Sequence, residues 1–234
     1  MNAMRNFGSI FILGFLTVVG LPGKAQESQS TEKLVAKPLF RDPVHDGAAD
    51  PTLIGNKAKK SWFMFYTNRR ATDTIDGGLA RVHGTRIGIA ESQDNGAHWQ
   101  YLDTADIAYW PDPGYTFWAP EVIQQKGIYH MYLTYVPGIF KDWNHRRSVI
   151  HQTSTNLINW TYQSTLKLAS NHVIDPCVLR LANGTRRMWY NNEQEHKIIY
   201  YVDSPDLYKW TDGKKAINDQ PGEVSKVFKW KNKY

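Results

Sequence analysis

The sequence predicts an all-β protein assembled from a repeated sheet unit. Aromatic residues make up 13% of the chain, and nearly all of them fall in short alternating or β-branched runs. Those runs are bounded by Gly, Asn, Asp or Pro, and no segment keeps a 3.6-residue apolar period for three turns. The runs read as strands are Trp62 to Thr67 (WFMFYT), Arg86 to Ala90 (RIGIA), Ile128 to Tyr135 (IYHMYLTY), Val149 to Thr153 (VIHQT), Met188 to Asn191 (MWYN) and Ile198 to Val202 (IIYYV).

Two marks recur along the chain. Ser92-Gln-Asp-Asn-Gly-Ala-His-Trp99, Ser154-Thr-Asn-Leu-Ile-Asn-Trp160 and Ser204-Pro-Asp-Leu-Tyr-Lys-Trp210 each place Asp or Asn two residues after Ser and close on Trp. The short polar side chain can close a turn on its own backbone, and the Trp is expected to pack back into the sheet that follows. The second mark opens each unit. Asp50-Pro51, Pro120-Glu121 and Asp175-Pro176 precede a β-branched strand, a polar turn and an aromatic strand. Spacings of this size, each unit a four-stranded meander, describe the blades of a β-propeller, because one blade cannot bury both of its faces alone. Three blades are expected, with the start of a fourth at Val227-Phe-Lys-Trp230 and Asn232 to Tyr234. A ring needs more blades than that, so the sequence reads as a five-bladed propeller, incomplete at its C-terminus, with about three and a half blades present.

The first 25 residues stand outside this pattern. Arg5 supplies a positive start, the run Phe7 to Leu21 is apolar, and small residues stand at Gly23 and Ala25, as in a secretory signal peptide cleaved after Ala25. The competing reading, a membrane anchor, needs a longer apolar span. Residues 26–38 are then a linker and 39–234 the propeller. The expected location is secreted or periplasmic, with no stable membrane insertion after cleavage. The net charge of +6 falls to +4 without Arg5 and Lys24. The remaining excess sits in turns such as Lys57 to Lys60 and at the C-terminus, which argues against nucleic acid as a partner. No protein partner is indicated. The single cysteine, Cys177, excludes an internal disulfide and is read as an inert buried thiol.

A blade's innermost strand runs along the axis of the ring, so an acid at its start faces a shared pocket, and Pro after it suits a position that donates nothing to the ladder. Several carboxylates converging on one cleft push their pKa values apart, leaving one as base and another as acid. The bland alternative for any single Asp-Pro is a turn at a strand entrance.

The stretches RDPVHDGAADPTLIG, FWAPEV, HVIDPCVLR and PGEVSKVFKWKNKY resemble the successive blade starts of glycoside hydrolase family 43 and its five-bladed relatives, over roughly Leu39 to Tyr234. The resemblance implies a hydrolase of glycosidic bonds in plant or algal polysaccharide or oligosaccharide. Asp50 matches the general base, Asp175 the residue that tunes and orients the acid, and Glu223 the general acid. Glu223 stands in Gly-Glu-Val-Ser where the family commonly has Gly-Glu-Gly-Pro, so Glu193 and Glu195 remain substitutes. The family inverts the anomeric centre, and room for the attacking water then sets the two carboxyls about 6.5–9.5 Å apart. Pentosides such as α-L-arabinofuranosides or β-xylosides are the default substrates. Relatives can hold a central Ca²⁺, but no metal motif stands in this chain and no cofactor is required.

Other residues have two readings. Phe117 and Trp118 would form a platform for a sugar face or pack in the core. Glu121 would point to the pocket or pair with an Arg. His83 and His172 would contact sugar hydroxyls or serve structure, and Arg69, Arg70 and His83 fall in or beside an insertion, Asn68 to Thr85, expected to line the pocket. Two rivals share the fold. A sialidase-like propeller fits the turn at Ser92 to Trp99, and a non-catalytic carbohydrate-binding propeller fits the abundance of Trp and Tyr.

Overall fold

The structure is a computed structural model that describes residues 37–72, 79–108, 114–223 and 226–231. The expected signal peptide, the expected linker as far as residue 36, part of the insertion (73–78) and Asn232 to Tyr234 lie outside the described residues. No helix among the described residues is long and apolar enough to cross a membrane.

Every strand run read from the sequence is present. Strands β1 (Ala48–Asn56), β2 (Ser61–Asn68), β3 (Arg86–Ser92) and β4 (Gln100–Thr104) form one antiparallel meander. Strands β6 (Thr116–Gln125), β7 (Ile128–Val136), β8 (Ser148–Ser154) and β9 (Asn159–Thr165) form a second, to whose outer edge β5 (Asp106–Ala108) adds in parallel. Strands β10 (Val173–Arg180), β11 (Arg186–Asn192), β12 (Ile198–Ser204) and β13 (Lys214–Ile217) form the third. The first strand of the middle sheet, β6, packs against the first strands of both neighbours, β1 and β10. Residues 226–230 form no strand of a fourth sheet. They run beside β10, where the Val227 N–H donates to Cys177 Sγ at 3.3 Å. Cys177 is buried, and burial pushes its thiol up to about 11, as an inert thiol requires.

The middle sheet shows why the sheets must stack. Along β7 successive side chains point to opposite faces. Met131 and Leu133 join Phe63, Phe65, Ile87 and Ile89 of the first sheet in one core, while Tyr132 joins Val178, Met188 and Tyr190 of the third sheet in another. Both faces are dry, so β7 reads as a nearly unbroken apolar run.

The Ser-to-Trp turns each lead from the third strand of a sheet toward the fourth. In all three the Ser hydroxyl accepts a backbone N–H, from Gly96, Leu157 or Leu207, at 2.8 to 2.9 Å. The Asp or Asn oxygen then accepts the next ones, from His98, Ile158 or Tyr208. The closing Trp differs from expectation in its direction. Trp160 packs edge-on against Phe65 of the preceding sheet, with centroids 5.6 Å apart, and Trp210 does the same to Tyr132 at 5.5 Å. Phe65 and Tyr132 hold equivalent registers, opposite Thr52 and Glu121. The Trp therefore bolts its own sheet to the one before it.

Three buried histidines make this packing sensitive to acid. His130 and His151 stack and share a 2.9 Å ring hydrogen bond, with His151 also flat against Tyr132. Burial lowers both from the usual histidine range, and it lowers His83 to about 4, helped by His145. Unfolded, each titrates near 6.5, so below that value the unfolded chain binds more protons than the fold. Stability is expected to fall as pH drops from about 6.5 toward about 4. Urea midpoints measured at several pH values check this, and a flat profile across that window would contradict it.

Candidate active site

The acids arise from a local irregularity that repeats. Each first strand is interrupted by a β-bulge, between Ala49 and Thr52, between Trp118 and Glu121, and between Ile174 and Cys177. The bulged residue has positive φ each time: Asp50 at 51°, Ala119 at 44° and Asp175 at 58°. The Pro that follows lacks an N–H and fits a break in the ladder. This corrects two expectations. The acids sit within the strands, since Ala48 and Ala49 are already paired with Asn68 and Thr67. The middle sheet's equivalent of Asp50 and Asp175 is Ala119, so Glu121 belongs instead to the register of Thr52 and Cys177.

The bulges are braced from sheet to sheet. The Ala119 N–H donates to Thr67 Oγ1 at 2.8 Å, and that hydroxyl donates to Asp50 Oδ2 at 3.2 Å. The Asp175 N–H donates to Thr134 Oγ1 at 3.2 Å, and Thr134 faces Trp118 as Thr67 faces Ala49. The next residue in that series is Asn191, opposite Ile174, whose amide donates to the carbonyl of Gly222. Glu223 thus follows the third brace as Asp175 follows the second.

Asp50, Asp175 and Glu223 line one cleft of about 580 Å³, together with Trp118, Trp143, Arg69, Arg81, Arg147, Glu193 and Lys197. Arg69 donates to Asp50 at 3.2 Å. Lys197 pairs with Glu223, and that bond is the main cause of the raised Lys197 pKa. Arg147 is 5% exposed, and its Nε lies 2.5 Å from Glu193 Oε2. Burial lowers the guanidinium's pKa, and the Glu193 charge opposes that. Of the two substitutes for the acid, Glu193 is in the cleft and Glu195 is outside it, paired with Lys215.

The other expected contacts divide. Trp118 lines the cleft, its indole N–H held by the Val82 carbonyl at 2.6 Å. Phe117 does not, because the strand alternation turns it into the core of the first two sheets, 1% exposed. His83 is fully buried behind the tryptophans, its ring 5.4 Å from Trp118 and 5.8 Å from Trp143. It supports the wall without reaching the space. His172 is half-buried outside the cleft, its ring bonded to Asn171 while its carbonyl accepts the Glu193 N–H at 2.9 Å. Glu121 is buried outside the cleft, bonded to Thr52, Val178 and Lys226. Trp143 and Arg147 were not foreseen. Their signal was the long connection between β7 and β8, where loops that carry function tend to lie. Among the described residues no group of three or more His, Cys, Asp or Glu is arranged to hold a metal ion, so the residues present do not form a side-chain calcium cage.

No protein-family model and no curated protein matches this sequence. Solved structures do match in fold. The endo-arabinase of Bacteroides thetaiotaomicron superposes with a TM-score of 0.53 at 18% identity, over 75% of this chain and 58% of that one. A thermostable family-43 glycoside hydrolase gives 0.54 at 19%, over 79% and 57%. The β-fructofuranosidase of Schwanniomyces occidentalis gives 0.56 at 16%, over 74% and 34%. The chain therefore has the propeller fold of family 43 glycoside hydrolases and their relatives, and it spans less than two thirds of the length of each of these neighbours.

The ion pairs of the cleft should differ in weight. Glu193→Ala leaves the buried Arg147 without its counter-charge and is expected to cost about 3–5 kcal/mol. Lys197→Met, at the half-exposed pair, is expected to cost about 1 kcal/mol or less. Urea denaturation of the two variants tests that order.

Proposed function

We propose that the protein is an exported inverting glycoside hydrolase. Its substrates are terminal sugars of plant or algal polysaccharide or oligosaccharide, with α-L-arabinofuranosides and then β-xylosides as first candidates. One observation carries the reading: Asp50 and Asp175, from equivalent bulges of the first and third sheets, and Glu223, from the segment after the third sheet, line a single cleft walled by Trp118 and Trp143. Fold alone does not assign chemistry; the acids of that cleft are what point to it.

In the proposed mechanism Asp50 acts as general base. The Thr67 hydroxyl and Arg69 orient its Oδ2, leaving its other oxygen to hold a water against the anomeric carbon. Glu223 protonates the departing oxygen from the opposite side of the sugar, and Asp175 orients it and adjusts its acidity. Substrate binding must also draw Lys197 away from Glu223, because a carboxylate held in an ion pair has no proton to give. The tryptophans offer apolar faces to a sugar ring. In this reading residues 1–25 direct export, and the blades belong to a five-bladed ring.

The sialidase-like alternative is disfavoured. Arg69, Arg81 and Arg147 do line the cleft, but the first and last already pair with Asp50 and Glu193. No tyrosine stands among the described lining residues to serve as nucleophile. A non-catalytic binder is separated by assay. On a panel of aryl glycosides and oligosaccharides the wild type should turn over at least one substrate. Asp50→Asn should lose about 10²–10⁴-fold in kcat, the range such groups contribute, while retaining ligand. Proton NMR of the first product should show the inverted anomer. A wild type that binds sugars without cleaving any would establish the binder instead.

A further inference from the structure

We infer that Glu121, outside the cleft, is the positioning residue that holds the three acid-bearing segments in mutual register. This rests on the glycosidase reading above and adds to it a residue that never meets substrate. Its carboxylate is 11% exposed and accepts from three different segments. Thr52 of β1 donates its hydroxyl to Oε2 at 3.3 Å, the Val178 N–H of β10 donates to Oε1 at 3.2 Å, and Lys226 donates its ammonium to Oε2 at 2.6 Å. Thr52 lies two residues beyond Asp50, Val178 three beyond Asp175, and Lys226 three beyond Glu223. One buried group thus ties together the backbones that carry the base, the orienting acid and the proton donor.

The tie matters most for Glu223. Asp50 and Asp175 stand at bulges whose flanking residues are paired on both sides, and the Thr67 and Thr134 hydroxyls brace them further. Glu223 stands outside any described strand. Among the described residues, what restrains its segment is the Asn191 bond to Gly222, the Gly222 N–H to the Lys197 carbonyl, the Lys197 ion pair, the Val227 contact with Cys177 and the Lys226 bond to Glu121. Of these, Glu121–Lys226 is the one ion pair anchored in a buried carboxylate. Loosening it should misplace the proton donor while leaving the base where it is.

That predicts a particular defect. Glu121→Gln retains oxygen for one strand bond and loses the charge that draws in Lys226. Lys226→Met removes the same pair and leaves Glu121 bonded to both strands, so it carries the test if the first variant fails to fold. Both are assayed on two glycosides of the same sugar, one with a poor alkyl leaving group and one with 2,4-dinitrophenolate, which departs without protonation. Each variant is expected to lose on the order of 10- to 100-fold in kcat on the alkyl glycoside. KM should change little, and turnover of the dinitrophenyl glycoside should stay near wild type. The double variant should be no worse than either single one. Asp50→Asn serves as the control that loses both substrates alike. Equal losses on both glycosides, or no loss on either, in folded Glu121→Gln and Lys226→Met overturn the positioning role while Asp50→Asn leaves the glycosidase reading intact. A wild type that cleaves no member of the panel removes the glycosidase reading itself.

Discussion

The hydroxyl of Thr67 connects the fold to the chemistry. It accepts the N–H of Ala119 from the next sheet and donates to the carboxylate of Asp50 in its own. A bulged residue with positive φ leaves its N–H pointing out of the ladder, and a buried N–H must find a partner. In this protein the partner is a side chain on the second strand of the sheet before, Thr67 for one bulge and Thr134 for the next. The bulges of the middle and third sheets are each completed by the sheet before, so Asp175 is placed by the stacking as well as by its own strand.

The same logic explains the distribution of large side chains. A sheet with two dry faces needs a neighbour on each, and the closing Trp of the turn supplies part of that contact by reaching back to Phe65 or Tyr132. Stacking buries Arg147, Glu121 and four histidines as well. Buried charge is tolerated only with partners, and the partners here come from other segments: Glu193 for Arg147, Lys226 for Glu121. The polar groups of the interior therefore record which segments must come together.

The strands found from sequence are those with dry faces. Along β2 seven of eight residues are buried, and along β7 eight of nine, so their apolar runs are visible without context. The outer strands β4, β5 and β13 carry no apolar run because most of their residues are exposed, Lys214 to Ile217 throughout. Their strand state is imposed by hydrogen bonding to an inner neighbour. The misplacement of Glu121 had a related cause. Pro120 resembled Pro51 and Pro176 in its surroundings, but the acid follows Pro in the middle unit and precedes it in the others. Only the register shows that this one step carries a carboxylate out of the cleft.

By itself, then, the sequence determined the all-β class, the three meander units, the Ser-to-Trp turns and the candidacy of Asp50, Asp175 and Glu223. Each of these depends on local chemistry: side-chain alternation, turn-forming residues and a repeated acid. The tertiary structure decided which side chains share a space. It brought Trp143, Arg147, Glu193 and Lys197 to the cleft, turned Phe117 into the core, set His83 behind the wall and left His172 outside. Those placements follow from how neighbouring sheets stack and how the long β7–β8 connection folds over them, contacts between residues far apart in the chain that no local pattern encodes.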